Sequence, residues 1–131
     1  MVLESLANMA GVFFIDGIRR RVRRSRLEKK LASAAQWPTV QAEVNRWQVV
    51  NADEDAAALG ASYQIEAGFH FTLNGEYYGG YLRSVAMGLH EAETKGTGNP
   101  KVNVRYNASN PDEVAVLAED NLSLPFRLVS G

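Results

Sequence analysis

Ser62-Tyr63-Gln64-Ile65-Glu66-Ala67-Gly68-Phe69-His70-Phe71-Thr72-Leu73-Asn74-Gly75-Glu76-Tyr77-Tyr78-Gly79-Gly80-Tyr81-Leu82-Arg83 is the stretch whose reading decides the fold. From Ser62 to Leu73 the residues alternate: Tyr63, Ile65, Ala67, Phe69, Phe71 and Leu73 on one side, Ser62, Gln64, Glu66, Gly68, His70 and Thr72 on the other. A period of two is the signature of a strand with one buried face. Asn74-Gly75 supplies two residues that tolerate positive φ, as a two-residue type I′ hairpin demands, so Glu76–Arg83 is the expected partner strand. The turn fixes the register: Leu73 faces Glu76, Phe71 faces Tyr78, His70 faces Gly79, Gly68 faces Tyr81 and Glu66 faces Arg83. A Glu66–Arg83 ion pair on the outer face and Tyr81 lying over the bare Gly68 follow from this register.

Further strands extend outward from the hairpin. Trp37-Pro38 breaks any preceding helix, and Thr39–Val50 alternates with Val40, Ala42 and Val44 inward. Near Arg46 and Trp47 the phase changes to Trp47 and Val49, which predicts a bulge. Asn51–Gly60 reads as an acidic loop or short turn, and Val85, Leu89 and Ala92 predict a short helix before the Gly96–Pro100 loop. Lys101–Tyr106 reads as a strand with Val102, Val104 and Tyr106 inward, Asn107–Pro111 as a turn, and Asn110-Pro111 as the start of one or two helical turns over Asp112–Ala118. Leu122, Leu124, Phe126 and Leu128 alternate as a last extended segment, with Pro125 pointing to a sheet edge.

The N-terminal segment differs in character. Leu3, Leu6, Ala7, Ala10, Phe14, Ile18 and Val22 recur at helical spacing, widened by Met9, Val12, Phe13 and Ile15, and predict an amphipathic helix from about Val2 to Ala35. Arg19, Arg20, Arg21, Arg23, Arg24 and Arg26 follow, with Lys29 and Lys30. Residues 1–36 carry 8 Lys/Arg against 3 Asp/Glu and residues 37–131 carry 6 against 12, so a formal net charge of −1 hides halves of opposite sign. The apolar stretch contains Glu4, Asn8 and Asp16 and falls short of the roughly twenty apolar residues of a membrane span. Its positive charges follow the apolar run, the reverse of a secretory signal. The segment divides the chain into an N-terminal helix, residues 1–36, and an antiparallel β-rich domain, residues 37–131. The fold class is α+β: a long amphipathic helix followed by a curled antiparallel sheet, a small open barrel or sandwich of five or six strands.

Phe13, Phe14, Ile18 and the arginines Arg19, Arg20, Arg21, Arg23, Arg24 and Arg26 are the candidate partner-binding residues. Three partners come into question: the sheet or another copy of the chain, a membrane surface or membrane protein complex, and nucleic acid. Basic residues beside anionic headgroups gain roughly 1 kcal/mol each, and the positive-inside rule leaves the folded body in the cytoplasm, peripheral on the inner face of the membrane. The basic run has no interleaved aromatics, which counts against a stacking surface for single-stranded nucleic acid.

No catalytic motif accompanies these features. The chain contains no cysteine, which excludes disulfides, thiolate nucleophiles and Cys-ligated metals. No Gly-x-Ser-x-Gly elbow or phosphate-binding glycine loop occurs, His90-Glu91-x-Glu93 lacks the second histidine of a zinc helix, and the Asp53, Glu54, Asp55 trio lacks calcium-loop spacing. His70, with Glu66 and Thr72 on the same side, is the one candidate base, and a solvated histidine on an open sheet face is the plainer reading. Neither enzyme activity nor a cofactor is expected, and the function read from the sequence is a non-catalytic accessory or scaffold module docked through its N-terminal helix. The alternative is a soluble homo-oligomer binding a small ligand on the outer sheet face with Tyr77, Tyr81, His70 and Arg83.

Three blocks carry a family likeness: Trp37-Pro38-Thr39-Val40-Gln41-Ala42-Glu43-Val44; Phe71-Thr72-Leu73-Asn74-Gly75-Glu76-Tyr77-Tyr78-Gly79; and Val102-Asn103-Val104-Arg105-Tyr106-Asn107 with Asn110-Pro111. In this order and spacing, over roughly residues 37–118, the chain resembles the bacterial family called domain of unknown function 3592. Ala108 stands where a proline is expected after Tyr106-Asn107. The resemblance implies a β module often found beside transmembrane helices, and it brings no catalytic residues.

Overall fold

The structure, a computed structural model, describes residues 2–54 and 56–131, with side chains from residue 18 onward. The helix α1 spans Val2–Ala34 and is followed by β1 (Thr39–Asn51), β2 (Tyr63–Leu73) and β3 (Glu76–Ser84). After α2 (Leu89–Lys95) come β4 (Lys101–Asn107), β5 (Asn110–Ala115), a 3-10 turn at Ala118–Asp120 and β6 (Leu128–Val129). Among the described residues the six strands form one antiparallel sheet in the order β5-β4-β1-β2-β3-β6.

The hairpin forms as its turn chemistry dictates. Asn74 and Gly75 have φ of 50° and 83°, the pair of positive values a type I′ turn requires, and β2 pairs β3 from Leu73–Glu76 through Gly68–Tyr81 to Glu66–Arg83. In β1 the register shifts between Val44 and Arg46, leaving Asn45 as the extra residue. That bulge turns Trp47 and Val49 toward the core that Ala42 and Val44 already face.

Twist and this bulge curl the sheet into a half-barrel. Its concave side buries Ala42, Val44, Ile65, Ala67, Phe69, Phe71, Leu82, Val102 and Val104. Gly80 makes room for this packing, since a Cβ there would stand 2.7 Å from Phe69 Cζ. At one end α2 inserts the fully buried Ala92, and Phe126 packs edge-on against Trp47 with ring centroids 5.4 Å apart. The two outer edges approach each other where Val116 and Gly131 exchange backbone hydrogen bonds of 2.7 and 3.0 Å. This contact ties the ends of the two edge strands to each other.

Four expectations are corrected. Asp112–Ala118 is not helical: β5 occupies Asn110–Ala115, and the turn is only Ala108-Ser109. Val114 and Val116 face the barrel core while Ala115 and Leu117 are buried against Leu31 and Trp37. The Asn110-Pro111 pair suits a helix start, but here it opens an edge strand, where proline is also tolerated. The last extended segment shrinks to Leu128–Val129, with Leu122 exposed on a turn and Phe126 buried from a loop. Val85 lies outside α2, its N–H donating to Arg127 O and continuing the β3–β6 pairing.

Gln64, expected on the outer face, is only 1% exposed. Its side chain donates to Ser84 O at 2.8 Å and accepts from the Asp53 backbone N–H at 3.0 Å, tying down the chain that leaves β1. Both ends of the amide are satisfied, so its burial is not penalised as a lone polar group would be.

Candidate functional site

Helix α1 packs on the body through Leu31 and Ala34, which with Trp37 lie on Ala115 and Leu117 of the β5 region. Arg105 clamps the junction: Nε and Nη2 donate to the two Asp120 carboxylate oxygens at 2.8 and 3.1 Å, and Nη1 donates to Trp37 O at 2.9 Å. The hydrogen-bonded Asp120 carboxylate raises the Arg105 pKa, holding the clamp charged.

From Ile18 to Lys29 every side chain of the helix is exposed. Ile18 is 46% and Val22 43% exposed, and Arg19, Arg20, Arg21, Arg23, Arg24 and Arg26 are all exposed. Phe13 and Phe14 belong to α1, but their side chains lie outside the described residues. Val22 precedes Leu31 by nine residues, about two and a half helical turns, so the exposed valine is on the side of the helix opposite the leucine that docks. Arg20 reaches Glu54 at 3.6 Å, and with Arg23 and Leu27 it lines a cleft of about 780 Å³ closed on the body side by Gln64, Arg83 and Val129.

A second concave surface lies on the convex side of the sheet, over β1, β2 and β3. Cross-strand rows build it. Gln48, Glu66 and Arg83 form one row, in which Gln48 donates to Glu66 at 3.0 Å, Arg83 donates to Glu66 at 3.0 and 2.6 Å, and Arg83 also reaches Asp53 at 2.6 Å. The Arg83 hydrogen bonds, followed by that of Gln48, lower the Glu66 pKa. The next row is Arg46, Gly68 and Tyr81; beyond it His70 lies 3.3 Å from Glu43, meets Asn45 and stacks on Tyr77 with ring centroids 5.2 Å apart.

No family model, curated protein or solved structure matches this chain.

Among the sequence candidates on this face, Arg83 is committed to Glu66 and Asp53, and His70 is held by Asn45 and Glu43. Tyr77 and Tyr81 remain outward, 68% and 81% exposed. Sequence reading omitted Arg46, Gln48 and Asn45, which line the same cleft of about 480 Å³. The signal was present, since the phase change in β1 decides which of its residues share the outer face with Gly68. Among the described residues no three histidines or carboxylates gather closely enough to hold a metal ion, and no helix is long and apolar enough to cross a membrane.

Proposed function

We propose that this protein is a non-catalytic docking module whose N-terminal amphipathic helix seats the β-body on an anionic membrane surface, on the cytoplasmic side. The observation that carries the reading is the exposed pair Ile18 and Val22, turned away from the body and set among six exposed arginines. An apolar strip flanked by cations is the chemistry of a helix lying at the headgroup boundary, where the strip enters the acyl edge and the guanidinium groups meet phosphates. Between residues 19 and 30 stand eight Lys/Arg and one acidic residue, Glu28. The sequence resemblance to domain of unknown function 3592, whose members often carry such a β module beside transmembrane helices, favours the same neighbourhood.

The test is co-sedimentation of the full chain with phosphatidylserine-containing vesicles against vesicles of phosphatidylcholine alone. Binding is expected to the anionic vesicles, to weaken as salt is raised, and to fall by about tenfold or more when Arg19, Arg21, Arg23, Arg24 and Arg26 are changed to Gln. Sedimentation that is absent, or unchanged in that variant, removes the proposal. A stable dimer by light scattering that buries Val22 without lipid would also replace it with the homo-oligomer reading.

A further inference from the structure

The arginines of α1 fall on two sides of the helix. At about 100° per residue, Arg23, Leu27, Leu31 and Ala34 all lie within roughly 60° of Arg20, whereas Ile18 and Val22 lie about 160° away, flanked by Arg19, Arg21 and Arg26. The first set is the stripe that ends in the joint at Leu31 and Ala34, and its Arg20, Arg23 and Leu27 line the cleft of about 780 Å³.

Across that cleft the body holds a carboxylate in place. Glu54 lies 3.6 Å from Arg20, with its side chain 93% exposed. The residue before it is pinned from three directions: Asp53 N–H donates to Gln64 Oε1 at 3.0 Å, its carboxylate accepts from Arg83 at 2.6 Å, and its carbonyl accepts from the Ala56 and Ala57 N–H groups, both at 2.9 Å. Gln64 is itself buried and bonded to Ser84 O, so the acidic loop starts from a fixed strand residue. An exposed pair such as Arg20–Glu54 adds little to stability. Its consequence is electrostatic: the body-side arginines meet an anionic loop, and the outer ones do not. Asp53 is shared with Arg83, which leaves Glu54 as the carboxylate that acts on the helix.

Given the docking of α1 on an anionic surface, on which this inference rests, we infer that the loop carrying Glu54 decides which face of the helix makes the contact. Glu54 offsets the charge of Arg20 and repels headgroup phosphates from the cleft over a screening distance of roughly 8–10 Å. Contact then runs through Ile18 and Val22 with Arg19, Arg21 and Arg26, and the β-body stands on the side of the helix away from the lipid.

The chain has no cysteine, so one nitroxide can be placed at a time. Val22→Cys and Leu27→Cys, each spin-labelled in the full chain, are compared on phosphatidylserine vesicles by their accessibility to oxygen and to a nickel chelate. Glu54→Lys is then added, with Glu93→Lys as an exposed, charge-matched control. The label at position 22 is expected to enter the lipid and the label at position 27 to stay in water. Glu54→Lys is expected to leave the far-ultraviolet spectrum unchanged, to bring the position-27 label into lipid and to tighten binding about fivefold beyond Glu93→Lys. Should Glu54→Lys alter that spectrum, Glu54→Gln and Glu93→Gln take the place of the pair. Equal depth of the two labels beside the native loop, or a Glu54 variant that behaves as its Glu93 control, overturns the inference and leaves the docking reading standing. A chain that does not bind the vesicles at all removes the docking reading and the orientation together.

Discussion

The Asn121 side-chain amide stands in for a strand. Its Oδ1 accepts the Asn103 backbone N–H at 2.8 Å, and its Nδ2 donates to Asn103 O and Leu117 O, both at 3.0 Å, beyond the last β4–β5 pair. Asn121→Ala would leave the half-buried Asn103 N–H and C=O without these partners, while Leu117 O keeps its bond from the Asp120 N–H, and a loss of about 1–3 kcal/mol in urea unfolding is expected. Glu66 gives a pH signature. Arg83, then Gln48, lower its pKa in the folded state, so the native protein binds fewer protons than the unfolded chain around that range. Its stabilisation is therefore complete above the ordinary glutamate range and is lost as pH falls through the folded value. Glu66→Gln is expected to flatten that acid limb of the stability profile; an unchanged limb would mean that the Arg83 bonds contribute nothing.

At the scale of elements, the joint between α1 and the sheet is held by one small apolar cluster and one arginine. Arg105→Gln removes the bidentate pairing with Asp120 while leaving Leu31, Ala34 and Leu117 in place. A loss of about 1–3 kcal/mol is expected, with faster hydrogen exchange at the Tyr106 amide, which donates to Pro38 O beside the joint. In the hairpin, Gly80→Ala forces a methyl into the Phe69 ring and is expected to cost about 1–3 kcal/mol by thermal unfolding. The elements most legible in sequence were those with one wet face. β2 and β3 announced both strand and register, and the β1 bulge was visible as a change of phase. β5 was misread because Asn110-Pro111 suits a helix start as well as the opening of an edge strand, and nothing local to the segment separates the two.

For the whole molecule, closure of the curled sheet depends on contacts far apart in the chain. Phe126, buried from a loop, plugs the barrel end against Trp47, and Phe126→Ala is expected to lower stability by about 3–5 kcal/mol. The Trp47 indole, which donates to Gly98 O at 2.7 Å, should show a red-shifted emission in that variant as water enters. The candidate site had the same division of legibility: Tyr77, Tyr81 and the exposed arginines could be named from the sequence, while Arg46 joined the tyrosines only through pairing of β1 with β2.

Alternation along a strand, the steric tolerance of Asn74-Gly75 and the separation of charge between the halves are local properties of covalently neighbouring residues, and the sequence by itself determined them. Which glycine is demanded by packing, which arginine is committed to an ion pair and which apolar run lies between two layers depend on residues distant in the chain. Only the tertiary structure decided these, because burial and pairing are properties of the assembled neighbourhood rather than of any segment alone.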